Sequence, residues 1–113
     1  MENEICIFCQ IVAGKAPANI VYQDDQVTAF YDIHPAAPTH ILIVTNKHIS
    51  SLNEITDATA GALLLVTALL AKKMGIDHDG YRTVINTGKF GGQVVYHLHV
   101  HLLGGKRMQL PMG

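Results

Sequence analysis

The sequence has almost no net charge, because eight Lys and Arg residues are balanced by nine Asp and Glu residues among 113. A balanced composition argues against the broad basic surface that binding to nucleic acid or to an acidic membrane requires. The chain also has no apolar run approaching the roughly 18 residues of a membrane-spanning helix. We therefore expect neither nucleic acid nor a membrane among its partners.

The chain contains only two cysteines, Cys6 and Cys9. The opening residues, MENEICIFCQ, lack the basic segment and the long apolar core of a secretory signal peptide. We therefore expect a cytoplasmic, reducing location, where cysteines are more often thiols or metal ligands than disulfides. A thioredoxin-like redox motif would need a strand before the pair, and the chain begins too close to it. Half-buried thiols and a metal site both remain open.

The length is that of one domain, and no linker, repeat or low-complexity tract divides residues 1–113. A chain this short buries only a modest core, so association into an oligomer is an expected supplement. We therefore treat residues 1–113 as a single domain.

Turn signals and apolar periodicity predict two helices and about five strands. The short helix lies in ICIFCQIVAGK and ends near Gly14, and the long helix follows Asp57, which would cap it, and ends at Gly75. The predicted strands are NIVYQ, VTAFYD, ILIVT, YRTVINT and VVYHLHVHLLG, with a hairpin at Asp24–Asp25. This order favours an α+β fold in which the long helix covers one face of an antiparallel sheet.

The most unusual stretch is YHLHVHLLGG, where His97, His99 and His101 occupy alternate positions and account for three of the seven histidines. Successive side chains of a strand point to opposite faces, so the three imidazoles share one face. The apolar residues between them share the other face, which can pack under the long helix. The histidine face must therefore line a polar site.

Three interpretations of the histidine face compete. One metal ion held by all three rings is disfavoured, because His97 and His101 are anchored about 13 Å apart while Zn–N bonds are about 2 Å long. A histidine-rich strand without a function is rare as a chance arrangement. The remaining interpretation is catalysis. A neutral imidazole, whose ordinary pKa is about 6.5, is a good nucleophile that can attack phosphorus and form a covalent intermediate. His99, with an imidazole on each side, is the candidate nucleophile.

The segment HLHVHLL matches the histidine-triad pattern, His-apolar-His-apolar-His-apolar-apolar. The segments FCQIVAGKAPANIVYQDDQVTAFYDIHPAAPTHILIV, GYRTVINTG and GGQVVYHLHVHLLGG extend the likeness over nearly the whole chain. The sequence therefore resembles the Hint branch of the histidine triad (HIT) superfamily, the histidine triad nucleotide-binding proteins. The resemblance implies a homodimer of the HIT-like α+β fold that binds AMP or GMP. It also implies hydrolysis of nucleoside 5′-phosphoramidates without a cofactor for catalysis.

The same resemblance implies roles for individual residues. His99 would be the nucleophile, His101 would contact the phosphate and assist the leaving group, and His97 and His40 would complete the polar network. Asp32 would hold the ribose hydroxyls, since a carboxylate offers two acceptor oxygens to a diol. The other implied nucleotide contacts are Phe8, Ile11 and Ile33 at the base and Asn86, Gly92, Gln93 and the backbone of Val94 at the ribose and phosphate.

The implied reaction is a double displacement. His99 attacks the α-phosphorus, the amine leaves with a proton donated inside the site, and water then releases AMP or GMP. Val94 stands where many eukaryotic Hint proteins have serine, so the leaving-group preference does not carry over. Leu110 stands where related tails often carry an aromatic residue, so the acceptor specificity does not carry over either.

Some histidine-triad relatives bind structural zinc through such a cysteine pair and two histidines, which here would be Cys6, Cys9, His48 and His97. Two thiolates and two imidazoles make a suitable tetrahedral set for Zn²⁺.

Two other functions stay open: a dinucleoside polyphosphate hydrolase of the Fhit branch, and a nucleotide-binding scaffold whose catalysis is incidental. Gly104–Gly105 and APTHILI favour Hint, and the intact triad disfavours the scaffold. A zinc hydrolase is a weaker idea because of the strand geometry above.

Overall fold

The computed structural model, which describes residues 5–109, is a five-stranded antiparallel sheet with a helix against each face. Helix α1 spans Ile7–Val12 and helix α2 spans Asp57–Lys73. The strands are β1 (Ile20–Gln23), β2 (Val27–Tyr31), β3 (Thr39–Thr45), β4 (Arg82–Val84) and β5 (His99–Gly104). Their order is β1-β2-β3-β5-β4, so β5 lies between β3 and β4. The predicted α+β fold is confirmed, whereas Leu110 and its tail lie outside the described residues.

The sheet has one mainly apolar face, which packs under α2. Ile41 and Ile43 of β3 lie on this face beside Val100 and Leu102 of β5. The buried positions of α2 recur every three or four residues: Leu63, Val66, Thr67, Leu70 and Ala71. That spacing places them on one side of a helix, and each fully buried apolar side chain contributes about 1.5–3 kcal/mol. Among the described residues, no helix is long and apolar enough to cross a membrane.

The opposite face carries α1 and the histidines. Phe8 and Ile11 of α1 pack against Phe30, Leu42 and Val44 of the sheet. Because β3 and β5 pair in antiparallel register, with His99 opposite Val44 and His101 opposite Leu42, the histidines lie beside this second core. Helix α1 and the triad side chains therefore lie against the same part of the sheet.

The start of α2 differs from the prediction by one residue. Thr56, and not Asp57, is the N-cap: its backbone is extended and its Oγ1 accepts a hydrogen bond from the Thr59 N–H. Asp57 lies in the first turn instead, where a negative charge interacts favourably with the helix dipole. The predicted end is confirmed, since Gly75 follows the C-cap Met74 with a φ of 74°.

Strand β5 is shorter than predicted, because residues 95–97 form a bend and regular pairing begins at His99. The alternation nevertheless reaches His97, since Leu98 is buried in the core under α2. The Leu98 N–H donates to the Ile49 carbonyl at 2.7 Å, outside the regular strand ladder. All three triad side chains therefore lie on the α1 side of the sheet.

Candidate active site

His99 is buried at the start of β5, and its hydrogen bonds fix its tautomer. Its Nδ1 lies 2.6 Å from the His97 carbonyl oxygen. Because a carbonyl can only accept, Nδ1 must carry the proton, and in the neutral ring the lone pair is then on Nε2. Burial lowers the pKa of His99, which favours this neutral ring at pH 7. His99 therefore holds a bare nitrogen available for nucleophilic attack.

A second chain of hydrogen bonds fixes the tautomers of His40 and His101. The Ala36 N–H donates to His40 Nδ1 at 2.9 Å, so the proton of His40 is on Nε2. That Nε2 lies 3.0 Å from His101 Nδ1 and 3.4 Å from Asp32 Oδ2. His101 accepts at Nδ1 and its own proton is on Nε2. Burial lowers the pKa of His101 to about 4, so the ring is neutral at pH 7.

The rings of His99 and His101 are neighbours. The ring centroids of His99 and His101 are 5.0 Å apart. The edge-on ring of Phe8 lies at a centroid distance of 5.1 Å from the His99 ring and makes a further edge contact with Phe30 at 5.5 Å. The His99 ring therefore contacts both an aromatic ring, that of Phe8, and the imidazole of His101.

Asp32 opens the loop that connects β2 to β3. Its Oδ1 accepts from the His34 N–H at 2.8 Å, and its Oδ2 is the oxygen that faces His40. A carboxylate has about four acceptor positions, so both oxygens keep lone pairs for a further ligand. Ile33 beside it is 84% exposed and available for contact from outside the core.

The loop before the triad is braced by Gln93, whose side chain is buried. Its Oε1 accepts from the Gly88 N–H at 2.9 Å, and its Nε2 donates to the carbonyls of Ser50 at 2.7 Å and Val95 at 3.1 Å. Both amide hydrogens are therefore used within the protein, and only Oε1 lone-pair capacity remains for a ligand. Gln93 consequently sets the path of residues 88–95.

The predicted site residues fall into two groups in the structure. Contacts among side chains and backbone link the buried and half-buried residues of the first group: Phe8, Asp32, His40, His97, His99 and His101. Ile11 packs in the same core as Phe8. Val94 is 87% exposed, Gly92 has a φ of 81° in an exposed turn, and Asn86 is half-buried. The residues of the second group are therefore at least partly exposed to solvent.

Sequence reasoning missed the groups that set the tautomers. The Ala36 N–H orients His40, and the Thr45 carbonyl lies 2.6 Å from His97 Nε2. Both are backbone atoms, which every residue possesses, so no side-chain pattern in the sequence marks them.

Cys6, Cys9, His48 and His97 form a cluster under α1, which we call the thiol–imidazole cluster. Cys6 Sγ lies 3.3 Å and Cys9 Sγ 3.5 Å from His97 Nδ1, and Cys9 Sγ lies 3.1 Å from His48 Nδ1. The four ligand atoms all lie within 4.8 Å of one another. Two sulfurs and two nitrogens at such separations fit one tetrahedral Zn²⁺, with bonds of about 2.3 Å to sulfur and 2.0–2.1 Å to nitrogen.

The tautomer of His97 suits that role. Because Nε2 donates to the Thr45 carbonyl, the lone pair of the neutral ring lies on Nδ1, the atom that faces the two sulfurs. Burial lowers the pKa of His97 to about 4, so the ring is neutral at pH 7. The ring therefore presents a ligand nitrogen to the cluster.

Asp32, His40 and His101 form a second group of potential ligands, also within 4.8 Å of one another. Both ring nitrogens of His40 and Nδ1 of His101 are already paired through the Ala36 N–H and the His40–His101 hydrogen bond. We interpret this second group as a hydrogen-bonded relay.

Comparisons with known proteins agree with this geometry. Residues 13–108 match the family described as the HIT domain. The chain is 49% identical over 106 residues to the purine nucleoside phosphoramidase of Escherichia coli strain K12, covering 91% of this chain and 89% of that protein. A histidine triad protein from Clostridium difficile superposes with a TM-score of 0.93 at 43% identity, covering 99% of this chain and all of that one.

One structural relative carries metal. A Zn-bound histidine triad family protein from Mycobacterium smegmatis superposes with a TM-score of 0.82 at 30% identity, covering 91% of this chain and 76% of that one. The family match extends over most of the sequence and includes the triad strand. The chain therefore belongs to the HIT domain family.

Proposed function

We infer that this protein is a purine nucleoside phosphoramidase, which hydrolyses the P–N bond of purine nucleoside 5′-phosphoramidates. The observation that carries the inference is the hydrogen bond from His99 Nδ1 to the His97 carbonyl, which leaves Nε2 of a buried neutral imidazole bare. The similarity to the phosphoramidase of E. coli supports the same substrate class.

In the first step, His99 Nε2 forms a bond to the α-phosphorus while the P–N bond breaks. The departing amine needs a proton: the bound phosphate anion favours the imidazolium form of His101, which gives its Nε2 proton to the amine beside the nucleophile and becomes a neutral ring. In the second step, water attacks the phosphorus, the bond to His99 breaks, and a proton from that water returns to His101. Positioning and hydrogen bonding supply the catalysis, and no metal takes part in either step.

We propose that the nucleotide lies across the open side of the triad. Phe8 supports this placement, because its ring borders both His99 and the second core that contains Ile11. The base would contact Phe8, Ile11 and exposed Ile33, and Asp32 would accept from the ribose hydroxyls. The phosphate would lie near Asn86, Gly92, Gln93 and the Val94 backbone N–H, in reach of His99 and His101.

Hydrolysis of adenosine 5′-phosphoramidate by the wild type and by His99→Ala, with and without chelator, tests the proposal. We expect rapid, chelator-insensitive release of AMP, a loss of about 10⁴-fold or more in His99→Ala, and no change in the matched control His78→Ala, an exposed histidine. Mass spectrometry of the quenched reaction should find the nucleotide attached to His99.

Three results would contradict this function. Full activity in His99→Ala would exclude the covalent mechanism. Turnover of diadenosine polyphosphates alone would move the chain to the polyphosphate hydrolase branch. Binding of AMP with turnover of neither substrate would favour the scaffold function.

We further propose that the thiol–imidazole cluster holds a structural zinc ion, as its four ligand atoms and the zinc-bound relative support. In that site Zn²⁺ would link α1 to the sheet and supply no step of the reaction. Metal analysis of protein purified without chelator should find about one ion per chain, and less than about a tenth of an ion would exclude the site.

We also propose that the protein is a cytoplasmic homodimer. Leu64, Leu65 and Leu69 are exposed on the outer side of α2, and the short strand β4 is an edge of the sheet. Contiguous exposed apolar side chains mark interaction surfaces, and a second copy of this short chain would enlarge its core. Cys6 and Cys9 are not joined in a disulfide, which is consistent with a reducing compartment.

A further inference from the structure

His97 belongs both to the thiol–imidazole cluster and to the candidate active site. Its ring nitrogen Nδ1 faces the two cysteine sulfurs, whereas its carbonyl oxygen accepts the hydrogen bond from His99 Nδ1. We propose that the thiol–imidazole cluster is a positioning site for catalysis: zinc bound there holds His99 and the nucleotide pocket in place, so that zinc and nucleotide bind cooperatively. This inference rests on the proposed nucleotide site and on the fit of the cluster to zinc.

The first connection between the thiol–imidazole cluster and His99 runs through one peptide unit. The carbonyl of His97 and the N–H of Leu98 belong to the same peptide plane, and that N–H donates to the Ile49 carbonyl at 2.7 Å. His48, the residue before Ile49, is the other imidazole of the cluster. An ion that joins the rings of His48 and His97 therefore restrains both chain segments that hold this peptide plane.

This restraint matters because the sheet does not hold His97 in regular register. Residues 95–97 form a bend, and the pairing of β5 with β3 begins only at His99. If the peptide plane rotates, the His97 carbonyl leaves His99 Nδ1, and the proton can move to Nε2. In that tautomer Nε2 carries the proton and cannot attack, so the fraction of active enzyme falls as this tautomer becomes more populated.

The second link runs through α1. The helix has six residues, which is too short for stability by itself. Its N-cap is Cys6, whose Sγ accepts from the Cys9 N–H at 3.4 Å, so both cluster thiols lie in its first turn. Phe8 lies between them in the sequence and packs edge-on against both His97 and His99. Ligation of the two cysteines therefore fixes the aromatic wall beside the nucleophile.

The proposal has a reciprocal consequence. If zinc improves the affinity for AMP by some factor, AMP must improve the affinity for zinc by the same factor. A zinc site with a purely structural role in an already folded protein gives no such coupling.

The test compares three forms: the zinc-loaded wild type, the wild type stripped with chelator, and the variant Cys6→Ser/Cys9→Ser. The serine pair keeps donors for His48 and His97 but is a poor zinc ligand set, and Ser is a preferred N-cap residue at position 6. This variant therefore supplies a folded metal-free form even if the stripped wild type unfolds. Lys47→Gln, at an exposed position of the same loop, is the control.

We expect AMP to bind at least about fivefold more weakly without zinc, and AMP to lower the zinc dissociation constant, measured by chelator competition, by the same factor. We expect kcat to fall about tenfold in the metal-free forms, with no response of Cys6→Ser/Cys9→Ser to added zinc. Nitrogen-15 NMR of the His99 ring should show a proton on Nδ1 alone in the loaded wild type and a mixture of tautomers in the metal-free forms.

A folded Cys6→Ser/Cys9→Ser variant with the AMP affinity, kcat and His99 tautomer of the loaded wild type would overturn the proposal. Equal zinc affinity with and without AMP in the wild type would do the same. The coupling is measured by binding, so a protein that binds AMP but hydrolyses no phosphoramidate would refute the proposed reaction and leave this test intact. If Lys47→Gln matches the wild type, any loss of AMP affinity or kcat in Cys6→Ser/Cys9→Ser is caused by the change in the cluster.

Discussion

His40 Nε2 and His101 Nδ1 are 3.0 Å apart, although the two residues are separated by 61 positions in the sequence. They lie on the adjacent strands β3 and β5, where His40 pairs in register with Leu103. The Ala36 N–H holds the far nitrogen of His40, so the hydrogen bond runs from His40 to His101. The consequence is a proton on the outer nitrogen of His101, Nε2.

Replacement of His40 should slow only those reactions whose leaving group needs a proton. We expect His40→Ala to lower kcat for adenosine 5′-phosphoramidate about 10²-fold, because His101 loses the donor that fixes its tautomer. A nucleoside 5′-phosphofluoridate should be affected far less, since fluoride departs without a proton. Steady-state kinetics on both substrates gives the comparison, with thermal unfolding to verify that the variant is folded. Equal losses on the two substrates would show that His40 serves the nucleophile or the fold instead.

The buried His101 ring should make the folded state sensitive to acid. Burial lowers the pKa of His101 to about 4, against about 6.5 in an unfolded chain. The unfolded state therefore takes up its proton first, and stability falls as the pH decreases from about 6.5 towards about 4. We expect the urea midpoint of chelator-treated protein to decrease between about pH 7 and pH 5, and to decrease less in His101→Asn. An equal decrease in the variant would assign the effect to other groups.

Two glycine substitutions should have opposite effects. A Cβ on Gly91 would lie 2.3 Å from the Thr87 carbonyl oxygen, so the loop must shift. We expect Gly91→Ala to destabilise the protein by about 1–3 kcal/mol and to raise KM. Gly61 lies in α2, where an added Cβ would meet nothing within 4 Å, and Gly61→Ala should stabilise by about 0.5–1 kcal/mol. Urea unfolding measures both, and a tolerated Gly91→Ala would mean that the loop adapts freely.

A charge on the outer side of α2 should separate the proposed dimer. We expect Leu65→Glu, at a position that is 73% exposed, to give a monomer in sedimentation velocity, because a buried unpaired carboxylate opposes association. Asn53→Glu, at an exposed position outside α2, is the control and should stay dimeric. If Leu65→Glu sediments like the wild type, this face is not the interface.

Much of the fold followed from short-range patterns. Strand-like and apolar runs marked β2 and β3, alternating histidine and apolar residues marked the triad strand, and the glycine after α2 marked its end, because these signals depend on backbone periodicity and local φ preference. The N-cap was misplaced from Thr56 to Asp57, since either residue type can cap a helix and only the backbone geometry distinguishes them. The strand β5 was predicted too long because the bend at residues 95–97 contains no glycine or proline.

The sequence by itself determined that three imidazoles share one face of a strand, since side-chain alternation is a property of extended backbone. Only the tertiary structure decided what each imidazole does. The partners of His97, His99 and His40 are the Thr45, His97 and Ala36 backbone groups. A ring's tautomer depends on the atom that faces it. The Thr45 carbonyl reaches His97 across 52 positions only when the sheet forms, and the nearby Ala36 N–H and His97 carbonyl face their rings only in the folded loop and bend.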